Sequence, residues 1–103
     1  MMNLFKSLFE KKETVDYTRL LREGAQIVDV RSPGEFGSGH IRGSVNIPLP
    51  DLKNNVKKIS RQKPVITCCA SGMRSSSAKS ILLSLGYTNV HNGGGWINLQ
   101  NRL

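Results

Sequence analysis

A chain of 103 residues has room for one sheet-and-helix core and not for a second, and with 38% apolar residues it has the composition of a folded globular domain rather than a disordered or fibrous one. Fifteen Lys and Arg against seven Asp and Glu leave a net charge of +8. The positives are scattered from Lys6 to Lys63 without aromatic interleaving, so a solvated basic surface that attracts small anions is expected and a nucleic-acid partner is not. The two cysteines are adjacent, which excludes a disulfide framework and suggests reduced thiols.

Residues 1–13 form an apolar and basic N-terminal segment. Its start, Met1 to Phe9, is apolar at helical spacing but too short and too interrupted by Lys6 to be a signal peptide or a spanning helix. Membrane contact by residues 1–9 is not expected, and the lack of an export signal places the protein in the cytoplasm. The remaining 14–103 read as one domain. Tyr17, Leu20 and Leu21 give one apolar stripe between Asp16 and Arg22, a short helix closed by Gly24. Ala25–Val30 is the first buried strand. Arg31–Gly43, with Pro33 and four glycines, is loop chemistry holding a single helical turn at Pro33–Phe36. A short strand follows at Val45–Ile47 and is stopped by Pro48.

Pro50–Ile59 is predicted as a helix, with Leu52, Val56 and Ile59 on one side. Val65–Cys68 is a strand, Cys69–Arg74 a loop, and Ser75–Leu85 a helix ended by Gly86. Tyr87–His91 is a last strand, Asn92–Gly95 a turn, and Trp96–Leu103 a terminal helix. Strands alternating with helices imply an α/β domain with a mostly parallel central sheet and helices on both faces. Ligands in such sheets sit at the carboxyl ends of the strands, where Cys69 lies. There the unpaired N–H groups of a first helical turn, with the helix dipole, favour a thiolate.

Several segments, taken in order, resemble the rhodanese-like single-domain sulfurtransferase family. Ile27-Val28-Asp29-Val30-Arg31 is similar to its first strand end, Gly39 to Pro48 to its GHIxGAxNIP segment, and Cys69 to Ser75 to its active loop, with Gly86-Tyr87 and Gly93 to Trp96 resembling the closing elements. The resemblance implies a small rhodanese-like fold without cofactor or metal. Cys69 would take a sulfane sulfur from thiosulfate or from a persulfide or polysulfide, become a persulfide, and pass the sulfur to a thiol or cyanide. It implies that the backbone N–H groups of Ala70, Ser71, Gly72, Met73 and Arg74 cradle the outer sulfur, that Arg74 closes the loop, and that Asp29 and Arg31 support the site. The partners would be a small sulfur-donor anion or a protein persulfide, and a thiol acceptor. Ala70 and Met73 stand where the family often has polar or charged residues, so the rim is less cationic than one built for thiosulfate.

Two other readings stay open. Counted from Cys68, the loop has the Cys-x5-Arg spacing of cysteine phosphatases and arsenate reductases, although Gly72 stands three after Cys69 and so favours the shorter register. A non-catalytic binding module is the third reading. Cys68 is expected to face the core while Cys69 faces the loop. The Ser75-Ser76-Ser77 run reads as helix-start chemistry, Trp96 as core or a lid over the sheet edge, and His40 as a structural hydrogen bond in its loop. His40 and His91 are too isolated for a metal site.

Overall fold

In this computed structural model, which describes residues 15–103, four strands pair in parallel: β1 (Gln26–Asp29), β2 (Val45–Asn46), β3 (Val65–Cys69) and β4 (Val90–Gly95). Their order across the sheet is β2-β1-β3-β4. Among the described residues four α-helices accompany them: α1 (Tyr17–Arg22), α2 (Pro33–Gly37), α3 (Met73–Ser84) and α4 (Trp96–Gln100). The expected N-terminal segment lies outside the described residues.

Strands covered on both faces need apolar side chains in both directions, and all five residues of β3 are buried. Alternation then sorts them. Ile27, Ile66 and Cys68 pack with Tyr17 of α1 and Leu99 of α4 on one face. Val28, Val65 and Cys69 pack with Ala78 and Leu82 of α3, and with Leu52 and Ile59, on the other. Each fully buried Leu contributes about 1.5–3 kcal/mol relative to an exposed one. Helices therefore flank both faces of an all-parallel sheet. Asp16 caps α1 by accepting the Arg19 N–H at 3.0 Å. The expected turn at Pro33–Phe36 is α2, opened by a capping box in which the Ser32 hydroxyl accepts the Glu35 N–H while the Glu35 carboxylate accepts the Ser32 N–H.

Four expected boundaries are corrected. Pro50–Ile59 is not an α-helix but two 3-10 turns, Leu49–Asn54 and Val56–Lys58. Pro48 and Pro50 set the entry, and the Asn55 side chain donates to the Asp51 carbonyl at 2.8 Å, so local polar chemistry competes with an α-helical ladder. The buried Tyr87 hydroxyl lies 2.7 Å from the Ile59 carbonyl and 2.9 Å from that of Val56, fixing this segment to the core. The terminal helix stops at Gln100. α3 starts at Met73, two residues before the predicted Ser75, because Gly72 turns the chain in the left-handed region with φ +109°.

The last correction concerns the glycine run. Residues 92–95 extend strand β4 instead of forming a turn, and Tyr87 lies before the strand. A Cβ on Gly93 would lie 2.8 Å from the Thr67 carbonyl oxygen and 2.8 Å from Leu99, and a Cβ on Gly95 would lie 2.8 Å from the Ala70 carbonyl oxygen. These glycines serve close backbone approach rather than reversal of the chain. β3 and β4 lose register across this stretch, with Thr67 opposite Asn92 but Cys69 opposite Gly95.

Gly93→Ala is accordingly expected to cost about 1–3 kcal/mol, the usual penalty of overpacking. Gly34→Ala, where nothing lies within 4 Å of the added carbon, should stay within about 0.5 kcal/mol of the wild type. Denaturant midpoints of the two variants measure the difference.

Candidate active site

β3 delivers Cys69 to the carboxyl edge of the sheet, beside the strand pair that, among the described residues, changes register. The chain must then reverse into α3 within three residues. The left-handed Gly72 makes that reversal, and its own N–H turns back to the Cys69 Sγ at 2.9 Å. One turn into α3, the Ser75 N–H also points at Sγ, at 3.3 Å, and the Ser75 Oγ lies 3.5 Å from it. Gly94 lies against the loop from the other side, its Cα 3.6 Å from where a Gly72 Cβ would be. The sulfur is enclosed. Cys69 is fully buried and counts in the core beneath α3.

Burial alone pushes a thiol up, because it penalises the charged form. At Cys69 that effect is outweighed by the Ser75 hydroxyl and by the backbone N–H groups of Ser75, Gly72 and Ser71, and the net result lies below the ordinary thiol value. Cys68 is the opposite case. Its side chain packs on the other face with Ile27, Ile66 and Leu99, and burial, reinforced by the nearby Asp29 charge, pushes it up to about 12. Two adjacent buried thiols thus differ in kind: backbone and hydroxyl donors make one more acidic than an ordinary thiol, and burial makes the other less so.

Of the remaining loop residues, Ala70, Ser71 and Met73 are exposed, Met73 most of all at 81%. The Arg74 guanidinium turns away from the sulfur to α2, where it meets Glu35 in a two-pronged ion pair at 2.7 and 3.0 Å. Arg74 first, then the Ser32 N–H, hold the Glu35 carboxyl down at about 2. Asp29 and Arg31 are placed one strand over, at the end of β1, with Asp29 opposite Cys68. They form a buried ion pair at 2.7 Å. The same guanidinium donates to the Gly39 and Glu35 carbonyls at 2.7 and 3.3 Å and lies 4.8 Å from the Trp96 ring centroid. The contacts of this pair thus go to the backbone of α2 and the loop after it rather than to the sulfur. A mainly apolar pocket of about 360 Å³ opens beside Arg74, walled by Val30, Pro33, Pro48, Leu49 and Pro50 together with Ser32 and Asp51.

Three polar groups of the site were not singled out as functional from the sequence. Glu35 could have been found, since Ser32-x-x-Glu35 is a capping-box pattern. Ser75 stands in the expected helix start but serves the sulfur, and Asn92, expected in a turn, accepts the Ser75 hydroxyl at 2.6 Å. No local signal marks Asn92, because the break in β-register places it. His40 does make a loop hydrogen bond, from Nδ1 to the Phe36 carbonyl at 2.7 Å.

A family model of the rhodanese-like domain matches residues 13–100. The thiosulfate sulfurtransferase PspE of Escherichia coli strain K12 is 39% identical over 70 residues, covering 66% of this chain and 67% of that protein. The uncharacterized protein YqhL of Bacillus subtilis strain 168 is 38% identical over 89 residues, covering 86% of this chain and 67% of that protein. Among solved structures, the human single-domain sulfurtransferase TSTD1 superposes with a TM-score of 0.74 at 27% identity, over 84% of this chain and 91% of that one.

Ultraviolet titration of thiolate absorbance distinguishes the two sulfurs. A Cys68→Ser variant should show one thiolate forming below pH 9.0, the reference thiol value. A Cys69→Ser variant should show none until the pH approaches about 12.

Proposed function

The chain belongs to the rhodanese-like domain family, and we propose that it is a sulfurtransferase whose Cys69 carries the transferred sulfur. The observation that supports this is the pair of backbone N–H groups, from Gly72 and Ser75, aimed at a fully buried Cys69 sulfur whose acidity they increase. In the first step the Cys69 thiolate attacks the sulfane sulfur of a donor. A bond forms between the two sulfurs, the bond from the sulfane sulfur to the rest of the donor breaks, and sulfite or a thiolate leaves with the electron pair. The negative charge then sits on the outer sulfur of the persulfide, where loop N–H groups of Ala70 to Arg74 hold it as an oxyanion hole holds oxygen. In the second step an acceptor thiolate or cyanide takes that sulfur and restores the Cys69 thiolate.

Thiosulfate and organic persulfides are both donors in this reading, and the site is better matched to the second. Arg74 has both prongs on Glu35, which leaves no unpaired guanidinium for a small dianion. The pocket beside it is mainly apolar, with Asp51 in its wall disfavouring a small dianion, and Met73 stands exposed at the rim, so a donor with an organic body meets greasy contacts. The acceptor is a thiol, and a reducing compartment such as the cytoplasm suits two free cysteines. Reading the loop from Cys68 as a phosphatase cradle has no such support, since Cys68 packs beneath α1 and α4 on the other face of the sheet.

Incubation with thiosulfate, and separately with an organic persulfide, is expected to add one sulfur (about 32 Da) to Cys69, seen by intact mass and peptide mapping and removed by cyanide. Cys69→Ser should reduce transfer to the uncatalysed rate, whereas Cys68→Ser should keep most of it. Equal loss in the two variants, or vanadate-sensitive phosphatase activity without a sulfur adduct, would overturn the proposal.

A further inference from the structure

Ser75 has one hydroxyl proton and three groups that can take it. Its Oγ lies 2.6 Å from the Asn92 Oδ1, 3.0 Å from the Gly72 carbonyl and 3.5 Å from the Cys69 sulfur. The Asn92 amide is oriented by a second contact, because its Oδ1 accepts the Gly94 N–H at 2.9 Å. That atom is thus an acceptor, and toward it Ser75 must donate. While the proton points at Asn92, Ser75 presents only lone pairs to the sulfur. Such a hydroxyl can accept an S–H but cannot hold a thiolate.

We propose that Asn92 is a positioning residue that acts on Cys69 through Ser75, claiming the Ser75 proton when the sulfur is neutral and releasing it when the sulfur is charged. In the thiol, Cys69 donates to Ser75 and Ser75 donates to Asn92. When the thiol proton is lost to solvent, the Ser75 hydroxyl rotates onto the sulfur and Asn92 keeps only the Gly94 N–H. When the thiolate attacks a donor, charge leaves the inner sulfur for the outer one, and the hydroxyl returns to Asn92. Asn92 therefore favours the direction in which the inner sulfur gives up its charge. This deepens the reading of Cys69 as the sulfur carrier and rests on it for the last step, while the protonation behaviour stands on the geometry alone.

The charged surroundings do not duplicate this device. On α3 the charges are Arg74, fixed on Glu35, and Lys79; on β3 the titratable neighbour is Cys68, on the opposite face and pushed up to about 12; at the end of β1 Asp29 is paired with Arg31. On β4 the titratable group is His91, which is bonded to Asn89 and stands opposite Ile66 rather than Cys69.

The test is the pH midpoint of thiolate absorbance, read in a Cys68→Ser background so that only Cys69 reports. Asn92→Ala frees the Ser75 proton for the sulfur and is expected to lower the midpoint by about half a pH unit, the share of one hydrogen bond of ordinary net strength. Ser75→Ala removes the donor and is expected to raise the midpoint. Asn92→Ala added to Ser75→Ala should change nothing further, because its effect passes through the hydroxyl. An unchanged or raised midpoint in Asn92→Ala, or an undiminished shift in the double variant, would overturn the proposal. If Asn92→Ala fails to fold, Asn92→Leu, which also lacks the acceptor but keeps a similar volume, takes its place with the same expected fall, and a midpoint that does not fall refutes the mechanism. None of these readings involves sulfur transfer, so failure here is separable from failure of the proposed function.

Discussion

A sulfur shut away from water can carry charge only where the protein solvates it, and the hydrogen bonds around Cys69 meet that condition. Left unpaired, an ion in such a place costs several kcal/mol, whereas each hydrogen bond to a charged group is worth about 1.5–3 kcal/mol. A few donors aimed at one atom therefore decide whether the anion exists. Amides that β-pairing would otherwise occupy become available only where a strand ends and a helix has not yet closed its first bonds. That is where Gly72 reverses the chain, and why the reversal cannot be looser: the Gly72 and Ser75 amides reach the sulfur only because three residues separate strand from helix.

The tight reversal needs support on both sides, and two different kinds of contact supply it. From β4, glycines with no Cβ press directly on the loop backbone and leave it no room to open outward. From β1, the buried Asp29–Arg31 pair carries its rigidity through hydrogen bonds to the Gly39 and Glu35 carbonyls, and Glu35 in turn anchors Arg74. A buried ion pair is a weak source of stability because desolvation offsets its attraction. Here its satisfied hydrogen bonds serve orientation instead, and among the described residues no buried side-chain nitrogen or oxygen lacks a partner.

Much of this was legible in the sequence, for identifiable reasons. The first and third strands announce themselves as short apolar runs because both faces of a parallel sheet are covered, and the turn at Pro33 follows from a proline set among glycines, whereas its capping box of Ser32 and Glu35 shows only in the structure. The sorting of Cys68 and Cys69 to opposite faces follows from strand alternation alone. The segment from Pro50 misled because Leu52, Val56 and Ile59 have a spacing that 3-10 turns can also use to reach a core. The glycine run misled more deeply. Glycine signals either a turn or a close approach, and only knowing that Thr67, Leu99 and Ala70 lie against β4 tells which. Asn92 was invisible for the same reason, since its partner is a serine on another element and its position depends on a break in register.

The placement of the two cysteines on opposite sides of one strand carries a further consequence. The chain holds no third cysteine, and the sheet itself stands between these two. Any sulfur loaded on Cys69 thus has no neighbouring thiol to discharge it, and within this chain no internal exchange can end the loaded state. Under the proposed function its lifetime would be set from outside, by how often an acceptor collides with the loop, and the loaded protein would act as a timer whose rate is written in the concentration of acceptor around it.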